Sequence, residues 1–130
     1  MNFRESQPIY LQIADHVCER ILLHEWLPGQ RIPSVRELAI TLAVNPNTVM
    51  RTYEFLQNQE ILHNERGIGL SVSDNGLKNA LVYRRTQFTE KDMPFFFRNM
   101  VLLEMDFSDL DPYFEKYCKK HSNELKKRTT

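Results

Sequence analysis

Ile9, Ile13, Val17 and Ile21 recur at every fourth position, which lays one apolar stripe along a helix predicted over residues 8–24. Pro8 suits its first position, where the missing N–H would have had no partner anyway. Trp26-Leu27-Pro28-Gly29 then breaks the repeat, as Pro and Gly punctuate turns. Ser34-Val35-Arg36-Glu37 has the form of a capping box, in which the Ser oxygen takes an amide of the first turn and the Glu reaches back. It predicts a short helix with Val35, Leu38, Ala39 and Leu42 facing inward. Asn45-Pro46 starts another helix, separated from the previous one only by Ala43-Val44. Two short helices joined by so tight a turn form a helix-turn-helix. On the second, Val49, Tyr53 and Leu56 share one face, and Asn47, Thr48 and Arg51 share another. Ile61-Leu62-His63 and Leu70-Ser71-Val72 read as short strands. Arg66-Gly67-Ile68-Gly69 between them supplies the glycines of a tight hairpin tip. That hairpin is the wing.

The polar break Ser73-Asp74-Asn75-Gly76 places the expected boundary between a winged helix-turn-helix of residues 1–75 and a helical region of residues 76–130. The fold class is therefore mainly α with one small β-hairpin. Three helices are expected after the break. Leu77, Ala80 and Leu81 begin one that runs to about Arg85. Asp92-Met93-Pro94 opens a second, which contains Phe95, Phe96, Phe97, Met100, Val101 and Leu103. Ser108-Asp109-Leu110-Asp111 caps a third, carrying Leu110, Phe114, Tyr117 and Cys118. The charged tail from Asn123 is expected to fray. Neighbouring residues on a helix are about 100° apart, so the rings of Phe95, Phe96 and Phe97 cannot all point one way. Only 54 residues follow Gly76, too few to bury them alone. A second copy of the chain is the simplest partner, with Phe95, Phe96, Phe97, Met100 and Phe114 at a homodimer interface; packing back onto the winged helix is the alternative.

Composition narrows the class. With 42% hydrophobic and 26% charged residues, the chain reads as soluble and globular, not disordered. No apolar run approaches the roughly 18 residues of a membrane span, and Met1-Asn2-Phe3-Arg4-Glu5 lacks a signal peptide's apolar segment. Cys18 and Cys118 lie far apart and form no C-x-x-C pair. They fit the reducing cytoplasm as two buried small apolar side chains. His16, His24, His63 and His121 show no metal-binding spacing. No phosphate-cradling loop, nucleophile elbow or Cys–His pairing is present. Neither catalysis, nor a metal, nor a cofactor is expected.

Charge works against the simplest nucleic-acid reading. Six arginines, no lysine and nine carboxylates occur through Asp74, a net charge of −3, and the remainder carries +3. DNA-binding domains often show the opposite bias, yet phosphate contacts need local positive charge and backbone N–H groups, not a basic average. Arg31, Arg36, Arg51 and Arg66 must act by position. The neutral balance also motivates an alternative: a winged helix used for protein–protein contact that has lost DNA binding.

Pro28-Gly29 followed by Ile32-Pro33-Ser34-Val35-Arg36-Glu37-Leu38-Ala39 resembles the GntR family of bacterial regulators. Val44-Asn45-Pro46-Asn47-Thr48-Val49-Met50-Arg51 and Arg66-Gly67-Ile68-Gly69 continue the resemblance in order and spacing. Gln7-Pro8-Ile9-Tyr10-Leu11-Gln12-Ile13 and the Val44-Asn45-Pro46-Asn47-Thr48-Val49 segment are most similar to the YtrA subfamily. The resemblance covers about residues 7–72. It implies a dimeric regulator of double-stranded operator DNA, with a short helical C-terminal region; members often repress operons for transport systems. Any small-molecule effector is unspecified. His24 and Glu60 depart from the pattern, standing where the family usually has Gly, Thr52 replaces the usual Ala, and Leu70-Ser71 replaces Thr-Phe.

With that resemblance, the site residues take roles. Asn47, Thr48 and Arg51 would enter the major groove, where Asn pairs with adenine and Arg bidentately with guanine. On spacing alone, the same residues fit a solvated helix face. Ser34 and Arg36 sit at a helix start that favours a phosphate, Arg36 resembling the family's DNA-contacting arginine. Arg66 and Gly67 at the wing tip would reach the minor groove. The retention of Arg36, Arg51 and Arg66 argues against the protein-contact alternative.

Overall fold

The computed structural model describes residues 7–124. Two sequence readings fall outside the described residues: the start that lacks a signal peptide, in residues 1–6, and the fraying tail beyond Glu124. Asn123 and Glu124 themselves are helical. The elements in chain order are α1 (Ile9–Leu22), α2 (Val35–Leu42), α3 (Pro46–Asn58), β1 (Leu62–Glu65), β2 (Gly69–Val72) and α4 (Gly76–Gln87). A π-helical segment (Phe88–Asp92), α5 (Met93–Leu102) and α6 (Phe107–Lys120) follow. The chain divides into two compact units, residues 1–84 and 85–130.

In the first unit, α1 buries Ile13, Ala14, Val17, Cys18 and Ile21. The buried face is thus two residues wide, as a 3.6-residue repeat requires, and Ile9 is left 58% exposed. Pro8 precedes the helix instead of occupying its first position, and its carbonyl accepts from Leu11 and Gln12 N–H at 3.1 and 3.2 Å. The capping box at α2 is complete: Glu37 N–H donates to Ser34 Oγ at 3.1 Å, and Ser34 N–H to Glu37 Oε1 at 3.2 Å. Asn45 caps α3 through Asn47 N–H at 2.8 Å. Leu38 and Ala39 of α2, with Val49, Tyr53 and Leu56 of α3, meet the α1 face in one core.

Strands β1 and β2 pair antiparallel, Leu62 opposite Val72 and Glu65 opposite Gly69. The tip is closed by Ile68 N–H donating to the Glu65 carbonyl at 3.0 Å. Gly67 holds φ at +84° there, a value that favours glycine. Residues 29–32 cover the outer edge of β2: Ile32 N–H donates to Leu70 O and Val72 N–H to Gln30 O, both at 3.0 Å. Cys18 is fully buried, and burial pushes its thiol up to about 12, so it stays protonated. Cys118, expected to be buried, is partly exposed on α6.

Four helices end in the same way. His24, Ala43, Glu60 and Glu104 all lie in the left-handed region, with φ between 54° and 61°. After each, the next N–H reaches five residues back: Glu25 to Arg20 O, Val44 to Ala39 O, Ile61 to Leu56 O and Met105 to Met100 O. This is the Schellman arrangement, normally built on glycine. His24 and Glu60, the two departures from the family's glycines, therefore occupy the backbone positions that ask for glycine.

The polar break after β2 is not the end of the first unit. Gly76 is buried and begins α4. Ala80 joins the core, and Leu77 and Tyr83 pack against it. Asn79 Nδ2 donates to the Glu60 carbonyl at 2.9 Å, and Arg84 pairs with Asp15 at 2.8 Å. These contacts carry the first unit to Arg84, nine residues beyond the expected boundary at residue 75.

The second unit begins within a helix. Asp92 does not open α5, because its backbone is helical (φ −80°, ψ −42°) and its side chain caps nothing. The chain stays helical from Gly76 to Leu102. The widened π-turn stands just before Pro94, which has no N–H and whose ring crowds the carbonyl four residues back. Asp106, not Ser108, caps α6: it accepts from Asp109 N–H at 3.3 Å and from Ser108 Oγ at 2.6 Å. Phe97 packs edge-on against Phe96 and Phe107, with centroids 6.2 and 6.0 Å away. Met100 is buried within the unit. Phe95 and Phe96 remain about half exposed, and Phe114 is 69% exposed. Phe96, Met100, Leu103, Leu110, Tyr113 and Phe114 line an apolar cleft of about 620 Å³ between α5 and α6.

Backbone fit generates opposite outcomes at two positions. A Cβ on Gly76 would stand 2.6 Å from Val72 Cγ1 and 2.7 Å from the Ile61 carbonyl, so Gly76→Ala destabilises by about 1–3 kcal/mol. Glu60→Gly relieves a left-handed non-glycine residue and stabilises by about 0.5–1 kcal/mol after the added chain entropy. Thermal unfolding followed by circular dichroism distinguishes them: the first variant melts lower than wild type, the second higher.

Candidate nucleic-acid interface

Helix α3 is bonded to its surroundings at both polar positions of its inner face. Thr52, fully buried, points its hydroxyl at the Tyr10 carbonyl of α1 (2.7 Å) and the Thr48 carbonyl of its own helix (3.0 Å). Replacing an alanine by threonine is tolerated because the buried oxygen is satisfied. Tyr53 Oη donates to the Pro33 carbonyl at 2.8 Å, tying α3 to the segment that leads into α2. Burial and, secondarily, the charge of Glu37 raise the Tyr53 phenol well above its ordinary value, keeping it a neutral donor.

With the inner face fixed, the outward residues follow. Asn47 and Arg51 are exposed, Thr48 is half buried, and Met50 and Glu54 are exposed beside them. Arg51 does not extend freely. Its Cζ lies 3.9 Å from the centroid of the Tyr10 ring, a cation–π contact. Tyr10 lies off the apolar stripe of the predicted first helix, and no periodicity signals a link to Arg51.

Ser34 and Arg36 are exposed at the start of α2. The capping box occupies Ser34's hydroxyl and its own N–H. It also sets the Glu37 carboxylate there, held below its ordinary value by the Ser34 N–H and then the Ser34 hydroxyl. Later first-turn amides and Arg36 are thus the groups an anion would meet. A cleft of about 210 Å³ brings Ser34 and Arg31 beside Asn64 and Gly69 of the wing. Arg66 and Gly67 are exposed at the hairpin tip, on a different element from the α3 residues. Among the described residues, no cluster of His, Cys, Asp or Glu could hold a metal ion. No helix there is long and apolar enough to cross a membrane.

The profile of the bacterial regulatory proteins of the gntR family matches residues 9–72. The HTH-type transcriptional regulator YhcF of Bacillus subtilis is 47% identical over 72 residues, 55% of this chain and 60% of YhcF. The B. subtilis repressor YtrA is 38% identical over 88 residues, 68% of each chain. The chain belongs to the GntR family. Among solved structures, a GntR-family regulator from Bacteroides thetaiotaomicron superimposes with a TM-score of 0.69 at 39% identity, over 87% of this chain and 98% of that one. The GntR chain is YtrA-like, and its first unit is the family's DNA-binding winged helix-turn-helix. The family consists of transcriptional regulators, not enzymes.

Proposed function

We propose that this GntR protein is a cytoplasmic repressor that binds a palindromic operator as a homodimer and controls genes of a transport system. The observation that carries the reading is the outward face of α3, with Asn47 and Arg51 exposed on a helix fixed through its inner side. In this reading Arg51 pairs bidentately with a guanine, Asn47 contacts an adenine, and Thr48 meets a phosphate or a thymine methyl. Arg36 and the start of α2 beside Ser34 hold a backbone phosphate, while Arg66 and Gly67 enter the minor groove at the wing. The repressor name of YtrA supports the direction of regulation. The transport operon follows from the family resemblance.

Selection from random DNA, followed by binding measurements on the recovered site, tests the base contact. Arg51→Ala should cost about 1–3 kcal/mol per half-site on the selected sequence. It should weaken binding to unrelated DNA much less, because phosphate contacts dominate there. Equal losses on both would assign Arg51 to phosphate and remove its role in readout.

The homodimer rests on the exposed apolar face of the second unit, where Leu103, Phe107, Tyr113 and Phe114 are each more than 60% exposed. Linking two modules makes the second binding event intramolecular and raises affinity by about 10²–10⁴. Phe114→Asp in the full chain should therefore yield a monomer by sedimentation at micromolar concentration, with helical content unchanged and operator affinity reduced by that factor. A variant that stays dimeric, or a monomer that binds as tightly as wild type, contradicts the proposed assembly.

A further inference from the structure

The Gln7–Ile13 segment carries the one sequence motif to which the proposed function gives no role, and Tyr10 stands within it. Tyr10 is held both through its backbone and through its ring. Its backbone carbonyl accepts the Thr52 hydroxyl at 2.7 Å, which fixes the first turn of α1 against α3. Its edge meets the Phe55 ring of α3 at 6.1 Å and 81°, and Phe55 in turn meets the Tyr83 ring of α4 at 5.5 Å and 65°. Three aromatic side chains from three helices thus form an edge-to-face ladder. The Arg51 guanidinium rests on the face of the outermost ring, with its carbon 3.9 Å from the centroid.

That distance decides how the arginine is held. A guanidinium carbon so close keeps the cation in contact with the ring face. The group carries five N–H donors, more than the two that a bidentate contact with guanine uses. Among the described residues Arg51 forms no ion pair, and Glu54, one turn along the same helix, does not capture it. The contact therefore restricts the side chain, and no ion pair among the described residues competes for it.

We propose that Tyr10 is the positioning residue for Arg51: its ring restrains the guanidinium before DNA arrives, so that a donor pair can meet a base without a further loss of side-chain freedom. This rests on the reading of Arg51 as a base contact. Immobilising a rotamer-rich side chain costs about 0.5–1.5 kcal/mol on binding, so prior restraint is worth about 2- to 12-fold in affinity per half-site.

The test uses four full-length variants, Tyr10→Leu, Tyr10→Phe, Arg51→Ala and the Tyr10→Leu/Arg51→Ala pair, on the selected operator and a scrambled duplex at one salt concentration. Tyr10→Leu should weaken operator binding by about 2- to 12-fold per half-site and leave scrambled DNA unaffected. Tyr10→Phe, which keeps the ring, should bind as wild type. In the Arg51→Ala background, Tyr10→Leu should have no further effect. An equal loss in both backgrounds means that Tyr10 acts through the fold and overturns the inference, as does an operator affinity unmoved by Tyr10→Leu. If Arg51→Ala itself leaves discrimination intact, the base-contact reading fails and takes this inference with it, an outcome distinct from failure at Tyr10 alone. Proton NMR of the wild-type chain gives a check that needs no variant: the Arg51 δ-methylene protons should be shifted upfield by the ring, and unshifted resonances overturn the inference.

Discussion

The two hydroxyls on the inner side of α3 fix where everything else on that helix points. Thr52 and Tyr53 are adjacent in sequence, so their side chains leave the helix about 100° apart. Each finds a backbone carbonyl on a different segment, Tyr10 of α1 and Pro33 before α2. Rotating α3 would strand at least one of these buried oxygens, which costs about 1–3 kcal/mol per unsatisfied group. The apolar residues Val49 and Leu56 bury the same face without directional bonds. The hydroxyls make the burial directional, and Asn47 and Arg51 face outward as a result.

Most of the first unit was legible from local chemistry. Ser34 with Glu37 and Asn45 with Pro46 are start signals that act within one turn, so they place α2 and α3 without tertiary information. The glycines at 67 and 69 marked the hairpin for the same reason. What could not be read locally depends on distant partners. Gly76 follows three polar residues and reads as a break, yet it is buried because Val72 and the Ile61 carbonyl occupy the space beside it. The contact of Arg51 with Tyr10 joins residues forty-one positions apart, and nothing in either segment predicts it.

The C-terminal helices show the opposite failure, local signals that are present but do not act. Asp92 before Met93-Pro94 has the composition of a helix start, but the chain arrives there already helical and a π-turn absorbs the proline. Ser108 is a capable cap, but Asp106 takes the role with Asp109, and Ser108 bonds to the cap instead of serving as it. At α5 the preceding helix left no start to cap, and at α6 the cap fell two residues earlier than Ser108. The phenylalanine run was informative at the coarser level: Phe97 finds ring partners within the unit, while Phe95, Phe96 and Phe114 keep about half or more of their surface exposed.

The central claim is that the fixed helix α3, with the start of α2 and the wing tip, forms the DNA-contacting surface. The most direct measurement is a titration of the ¹⁵N-labelled full chain with the selected operator duplex, followed residue by residue by NMR. Signal changes should concentrate at residues 34–36, 46–51 and 66–67, and the Arg51 side-chain resonances should move with them. Changes gathered on α5 and α6, with these three segments silent, would contradict the account and favour a winged helix used for other contacts.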